Sequence, residues 1–307
     1  MNAYTYNDIC FNGICCIDAP KPKAERDAQA HQFKPKAPKP LTPEEAAKSV
    51  RQRIQENFIG ELPEEIDRLI SRITEPENNS QQDASLPNRV LITGDTGTGK
   101  THLVEVLLHE LQVKSISLAG PSFANKYCGE GSRRIHEVFE NAKALNEPVI
   151  IFIDYVDTLA FKMKDTSHPE YKRDLETLLR ELENVQNNKN VFVIFATHEP
   201  EILDKRFVEK FPGKSHAKLS YLNEEERAAL FMKYFEDHDL EKDSELAKEL
   251  AKNTNNKIDK HTRAPLSNRA LEDIVTAARF RKYVDCKEKK RCDEPIRTYL
   301  QKETRSL

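Results

Sequence analysis

The densest chemistry in this chain lies in Gly94-Asp95-Thr96-Gly97-Thr98-Gly99-Lys100-Thr101. The segment follows the apolar run Val90–Ile92 and opens a helical run, His102–Leu111. The pattern G-x-x-x-x-G-K-[ST] therefore sits in a strand–loop–helix context. Three of the nine glycines fall here, where a tight turn presents backbone N–H groups to an anion. The helix N-terminus adds partial positive charge. In such a loop Lys100 reaches the β- and γ-phosphates of a nucleotide, and the Thr101 hydroxyl is a ligand for Mg2+. An ordinary glycine-rich turn needs no Lys-Thr after its last glycine.

The metal also needs a carboxylate at the end of a neighbouring buried strand. Val149-Ile150-Ile151-Phe152-Ile153-Asp154 supplies one. A strand this apolar is buried on both faces, and an aspartate at its end is best explained by a cation partner. The competing reading is an N-cap for the next segment.

Apolar runs at Val90–Ile92, Ser115–Leu118, Val149–Ile153, Val191–Ala196 and Lys218–Leu222 alternate with helical patterns. The helices begin near Gly99, Arg133 and Tyr171, the last with Leu175, Leu178, Leu179, Leu182 and Val185 at helical spacing. Such alternation predicts a parallel sheet covered on both faces. Upstream, Thr42-Pro43 with Glu45 marks a helix start. Helical patterns run to about Asn57 and from Pro63 to Ile73. After Asn223 helices dominate to about Asp285. The expected organisation is a flexible Pro/Lys-rich arm over 1–42, N-terminal helices and linker over 43–83, an α/β nucleotide-binding domain over 84–222, and a helical lid with a basic C-terminal tail over 223–307.

Composition excludes several classes. With 38% hydrophobic and 32% charged residues, the chain is polar but too rich in apolar residues to be wholly disordered. It contains no run of about 18 apolar residues, so no membrane span is expected. The opening MNAYTYNDICFNGICC has no positive charge ahead of its apolar stretch, which argues against a secretory signal. A net charge of -3 gives no global basic field, and no DNA partner is expected. Six cysteines in 307 residues are too sparse for a disulfide scaffold, and a reducing, cytoplasmic compartment is expected.

With these motifs in this order, the chain resembles the AAA ATPase family, part of the wider AAA+ class, over about residues 58–285. Phe58-Ile59-Gly60 resembles the family's adenine-contacting segment. Lys126-Tyr127-Cys128-Gly129-Glu130-Gly131 is similar to its central pore loop, whose aromatic grips a translocating polypeptide. Ala196-Thr197-His198-Glu199-Pro200 with Leu203-Asp204 resembles the sensor-1 segment, and Leu266-Ser267-Asn268-Arg269-Ala270-Leu271 the lid segment carrying sensor 2. The resemblance implies an α/β P-loop NTPase fold: a five-stranded parallel sheet with helices on both faces, then a small all-α lid. It implies ATP and Mg2+ as cofactors, a homo-oligomer such as the family's hexameric rings, and a protein substrate or partner. The implied nucleotide-binding residues are Gly94, Asp95, Thr96, Gly97, Thr98, Gly99, Lys100, Thr101 and His102, with Ile59 and Gly60 at the base. Thr101 and Asp154 would hold the metal, and Asp154, Lys100, His198 and Arg269 would serve catalysis.

Several positions depart from the family pattern. Tyr155 stands where a glutamate polarises the attacking water, a base worth about 10²–10⁴ in rate. Asp157 is a candidate substitute. Sensor 1 is normally Asn, and here it is His198. The arginine fingers should fall near Glu209 and Lys210, with Arg206 close by; a trans arginine is worth about 10³–10⁵. Binding groups persist while hydrolytic ones change, which implies firm ATP binding with slow or altered hydrolysis.

Other features have plainer readings. Tyr127 grips peptide or anchors its own loop, and His198 is a sensor or a satisfied structural histidine. Cys286 and Cys292 do not make a complete metal site. Lys287–Arg291 reads as a solvated face. The sequence has no His-Glu-x-x-His zinc-protease motif. The functional readings that follow are an ATP-driven, ring-forming remodeller or unfoldase, and a nucleotide-gated scaffold that hardly hydrolyses ATP. A small-molecule phosphotransferase is weakest, because no acceptor-binding insert is evident.

Overall fold

Alternation of buried side chains along the strands sets the layers of this protein. The computed structural model describes residues 43–74, 88–123, 129–162, 169–238, 240–255, 257–258, 265–289 and 295–306. Strands β1 (Arg89–Thr93), β2 (Lys114–Ala119), β3 (Val149–Asp154), β4 (Val191–Thr197) and β5 (His216–Lys218) form one sheet in the order β2-β3-β4-β1-β5. Every pairing is parallel. In β3, Val149, Ile151 and Ile153 face one core while Ile150 and Phe152 face the other. In β4, Val191, Val193 and Phe195 are set against Phe192, Ile194 and Ala196. A period of two with both faces apolar is what a doubly covered parallel sheet requires.

Helices fill both faces. α1 (Pro43–Asn57), α2 (Glu64–Thr74) and α3 (Lys100–Leu111) cover one side. On α1, Val50 and Ile54 recur at i, i+4; on α2, Ile66, Leu69, Ile70 and Ile73 form the buried stripe. These helices share their core with Val90 and Ile92 of β1, so the helical segment ahead of the sheet is packed on it. Glu110 near the end of α3 ties down α1, accepting from Arg53 Nε at 2.6 Å and Asn57 Nδ2 at 3.2 Å. α4 (Glu130–Ala144) and α5 (Pro169–Asn184) cover the opposite face. Leu178 on α5 is fully buried there. Leu178→Ala is expected to cost about 2–5 kcal/mol of folding free energy, read as a lowered urea midpoint.

Beyond a short α6 (Lys205–Val208), the chain forms α7 (Glu224–Asp237), α8 (Ser244–Asn255), α9 (Asn268–Lys289) and α10 (Ile296–Ser306). α7 starts on a full capping box: Asn223 Oδ1 accepts from Glu226 N–H at 2.9 Å, and Glu226 Oε2 from Asn223 N–H at 2.8 Å. These helices pack around Phe231, Leu250, Leu271 and Leu300 in a core of their own.

The structure differs from the sequence expectation in places. The last strand was expected over Lys218–Leu222 but spans His216–Lys218, because this edge strand pairs only with Leu91–Thr93. Leu219 closes the ladder with its N–H to Thr93 O at 2.8 Å, and Leu222 is buried in the helical core instead. Helix α4 begins at Glu130, ahead of the expected Arg133; its Ser132 hydroxyl donates to Asp174 Oδ1 at 2.6 Å. The C-terminal residues expected as a basic tail include α10, whose Tyr299 and Leu300 are buried. Cys286 is disulfide-bonded, where reduced thiols were expected; a sparse cysteine count argues against a scaffold but not against a single bridge. The arm over 1–42 lies outside the described residues.

Candidate functional site

Strand order places the chemistry. β1, β4 and β3 are neighbours, with Thr93 paired to Thr197 and Ile153 to Phe195. The residues following them, Gly94, His198 and Tyr155, therefore gather at one edge of the sheet. Carboxyl ends of parallel strands are where open α/β sheets bind ligands. A cavity of about 710 Å³ opens there, walled by the loop before α3, the ends of β3 and β4, and the helical segment.

The loop is shaped by glycine. Gly94 has φ 153° and lies so close to Leu219 O that a Cβ would come within 2.4 Å of it. Gly97, at φ 79°, faces Ser267, where a Cβ would approach within 2.3 Å. Left-handed φ and close approach together leave no room for a side chain at either position. Thr98 Oγ1 donates to Asp95 O at 2.9 Å, bracing the loop from behind. Lys100 is buried at the first turn of α3, and its ammonium donates to Gly94 O at 2.6 Å and Asp95 O at 2.8 Å. Burial lowers the pKa of this ammonium, opposed by the carboxylates of Asp154, Asp95 and Asp157.

Thr101 follows, and its hydroxyl donates to Asp154 Oδ2 at 2.6 Å. Asp154 Oδ1 accepts from the Tyr155 N–H at 2.8 Å. A hydroxyl and a carboxylate side by side at the cavity wall form an oxygen donor pair suited to a hard cation such as Mg2+. Tyr155 then turns the chain at φ 53°, ψ 45°, a conformation uncommon for a bulky residue. Its ring, 49% exposed, lies on the cavity and meets the His198 ring edge-on at 6.0 Å. His198 Nδ1 is 3.9 Å from Asp157 Oδ1, and its Nε2 is 3.3 Å from Glu199 Oε1.

Of the residues singled out in the sequence, Ile59, Thr96, Gly97, Gly99, Lys100, Thr101, His102, Asp154, His198 and Arg269 line this cavity. Gly60, Gly94, Asp95 and Thr98 do not. Asp157, the candidate substitute base, does not line it either; its buried carboxylate accepts from the Thr197 hydroxyl at 2.6 Å. Arg206 lies outside as well, with Nη1 donating to Glu176 Oε1 at 2.6 Å and Nε to Asp204 Oδ1 at 3.1 Å. These carboxylates raise its pKa further above the ordinary value. Lys210 pairs with Glu183 at 2.5 Å. Lys126, Tyr127 and Cys128 of the pore-like loop fall outside the described residues.

The helical wall holds residues that sequence reasoning missed, Lys233, Tyr234 and Asp237, beside Asn268 of the lid-like segment. The Tyr234 hydroxyl donates to Asn268 O at 3.1 Å, and burial pushes this phenol well above its ordinary pKa. Asn268 N–H donates to Gly97 O at 3.0 Å, joining the helical segment to the glycine-rich loop. Leu230, Tyr234 and Asp237 share one face of α7 at i, i+4 and i+7, a signal present in the sequence. Nothing local states that this face stands opposite Phe58 across a cavity.

Residues 90–219 match the model of the ATPase family associated with various cellular activities (AAA). The chain is 35% identical to the ATP-dependent zinc metalloprotease YME1 homolog of Caenorhabditis elegans over 151 residues, 49% of this chain and 20% of that protein. It is 31% identical to the ATP-dependent zinc metalloprotease FtsH 3 of Symbiobacterium thermophilum over 229 residues, 73% of this chain and 35% of that protein. To the proteasome-activating nucleotidase of Pyrococcus abyssi it is 36% identical over 171 residues, 53% of this chain and 42% of that protein. The chain thus spans less than half the length of each of these relatives. With a five-stranded parallel sheet and helices following it, the segment 90–219 is an AAA domain.

Proposed function

We propose that this chain binds ATP with Mg2+ in the cavity, hydrolyses it slowly, and works as an oligomeric, ATP-driven remodeller of protein substrates in the cytoplasm. The observation that carries the reading is the Thr101–Asp154 pair beside the buried Lys100 at the carboxyl edge of the sheet. In this reading the N–H groups of the loop and the Lys100 ammonium hold the β- and γ-phosphates. Lys100 exchanges its carbonyl partners Gly94 and Asp95 for phosphate oxygens. Thr101 and Asp154 hold Mg2+, which when bound neutralises phosphate charge. Ile59, Phe58 and Tyr234 flank the base, Arg269 reaches the γ-phosphate, and His198 orients the attacking water. The relatives' names, ATP-dependent proteases and a proteasome-activating nucleotidase, support a protein as the substrate class. Among the described residues no helix is long and apolar enough to cross a membrane.

A scaffold gated by nucleotide is the second reading, and Tyr155 favours it. A phenol on the cavity wall stands where the family pattern has a carboxylate, and Asp157 is engaged by Thr197. Calorimetry with Mg-ATP and a turnover assay across protein concentration test both. Turnover that rises with concentration and with added unfolded protein supports the remodeller. Binding heat with negligible turnover at every concentration supports the scaffold. Absence of binding heat overturns both.

A further inference from the structure

Arg227, in the first turn of α7, is 2% exposed. Its fork reaches backbone carbonyls of separate segments: Nε donates to Leu222 O at 3.0 Å, Nη1 to Thr254 O at 3.0 Å and Nη2 to Leu266 O at 3.3 Å. A fully buried arginine is rare unless its charge is matched, and here carbonyl dipoles do so. The burial lowers the guanidinium's pKa from its ordinary value. Leu222 lies in the connection from β5 to α7, and Thr254 in the last turn of α8. Leu266 immediately precedes Ser267-Asn268-Arg269.

That last stretch stands directly on the phosphate loop. Asn268 donates to Gly97 O at 3.0 Å, Ser267 fills the space beside Gly97, and both Asn268 and Arg269 line the cavity. Among the described residues, the side chain that donates to the Leu266 carbonyl, one residue before Ser267, is Arg227. A packing role alone would be met by an apolar side chain of similar volume. The carbonyls need a planar donor with several N–H groups, and lysine, a point charge, does not reproduce the fork.

We propose that Arg227 is a positioning residue for nucleotide binding: by holding Leu266 it sets Asn268 and Arg269 at the height over the phosphate loop where both sides of the cavity grip the nucleotide together. The inference rests on the nucleotide-binding reading above.

The test is a double-mutant cycle on Mg-ATP affinity, measured by calorimetry on the full chain, for wild type, Arg227→Lys, Arg269→Ala and the double variant. Arg227→Gln serves as a second substitution, and urea unfolding reports which variants remain folded. Arg227→Lys is expected to weaken ATP binding about tenfold. Arg269→Ala is expected to weaken it comparably, and the double variant little more than Arg269→Ala alone, because the two act along one path. A purely structural role would leave the two losses additive, about hundredfold together, and that result overturns the proposal. ATP affinity unchanged in folded Arg227→Lys and Arg227→Gln also overturns it, as does unfolding of both at the assay temperature. Absence of Mg-ATP heat with the wild type sinks the nucleotide reading itself, whereas binding by the wild type with an additive cycle sinks only the role of Arg227.

Discussion

Tyr155→Glu raises steady-state ATP turnover by about 10²-fold or more, with little change in ATP affinity. Position 155 follows Asp154, and its backbone N–H holds the Asp154 carboxylate, so a side chain here starts beside the proposed metal ligand. The tyrosine ring lies half-exposed on the cavity wall rather than in a core, so a shorter carboxylate creates no buried void. On the proposed reading, a glutamate there supplies a base to the attacking water. The check is kcat at saturating Mg-ATP with Kd measured alongside. A folded Tyr155→Glu protein no faster than wild type would show that this position does not face the attacking water.

Lys100→Ala reduces ATP binding and turnover by at least about 10²-fold while leaving the fold nearly as stable. The ammonium donates to Gly94 O and Asp95 O within the loop, and the Lys100 side chain itself lines the cavity, so truncating it opens space at the cavity wall rather than inside the apolar core. A triphosphate arriving at that loop would meet N–H dipoles and the helix terminus but no full positive charge. Calorimetry with Mg-ATP and a thermal melt separate the effects. Wild-type affinity in the variant would move the phosphate site elsewhere.

Much of this molecule was legible locally. The loop 94–101 declares itself because tight backbone turns over an anion demand glycine at set intervals, and the lysine and threonine after the last of them have no structural reason to be there. The central strands declared themselves because a sheet covered on both faces needs continuous apolar runs, as in Val149–Ile153 and Val191–Ala196. Edges were less legible. Leu219 and Leu222 looked like strand residues because burial was the signal, yet one closes a ladder and the other belongs to a different core. Asp157 looked like a spare base by spacing from Asp154, but its partner is a hydroxyl at the end of β4, 40 residues away.

Sequence by itself determined the fold class and marked out the glycine-rich loop 94–101 and Asp154 at the end of β3, since each depends on the backbone's own conformational rules or on a period of two or 3.6. Only the tertiary structure decided which distant residues meet: Tyr155 against His198, Asn268 on Gly97, Tyr234 and Phe58 on the wall of one cavity, and Arg227 on the Leu266 carbonyl. Those pairings are set by strand order and by the packing of separate cores, and a buried charge matched by carbonyls from distant segments leaves no local pattern from which it could be read.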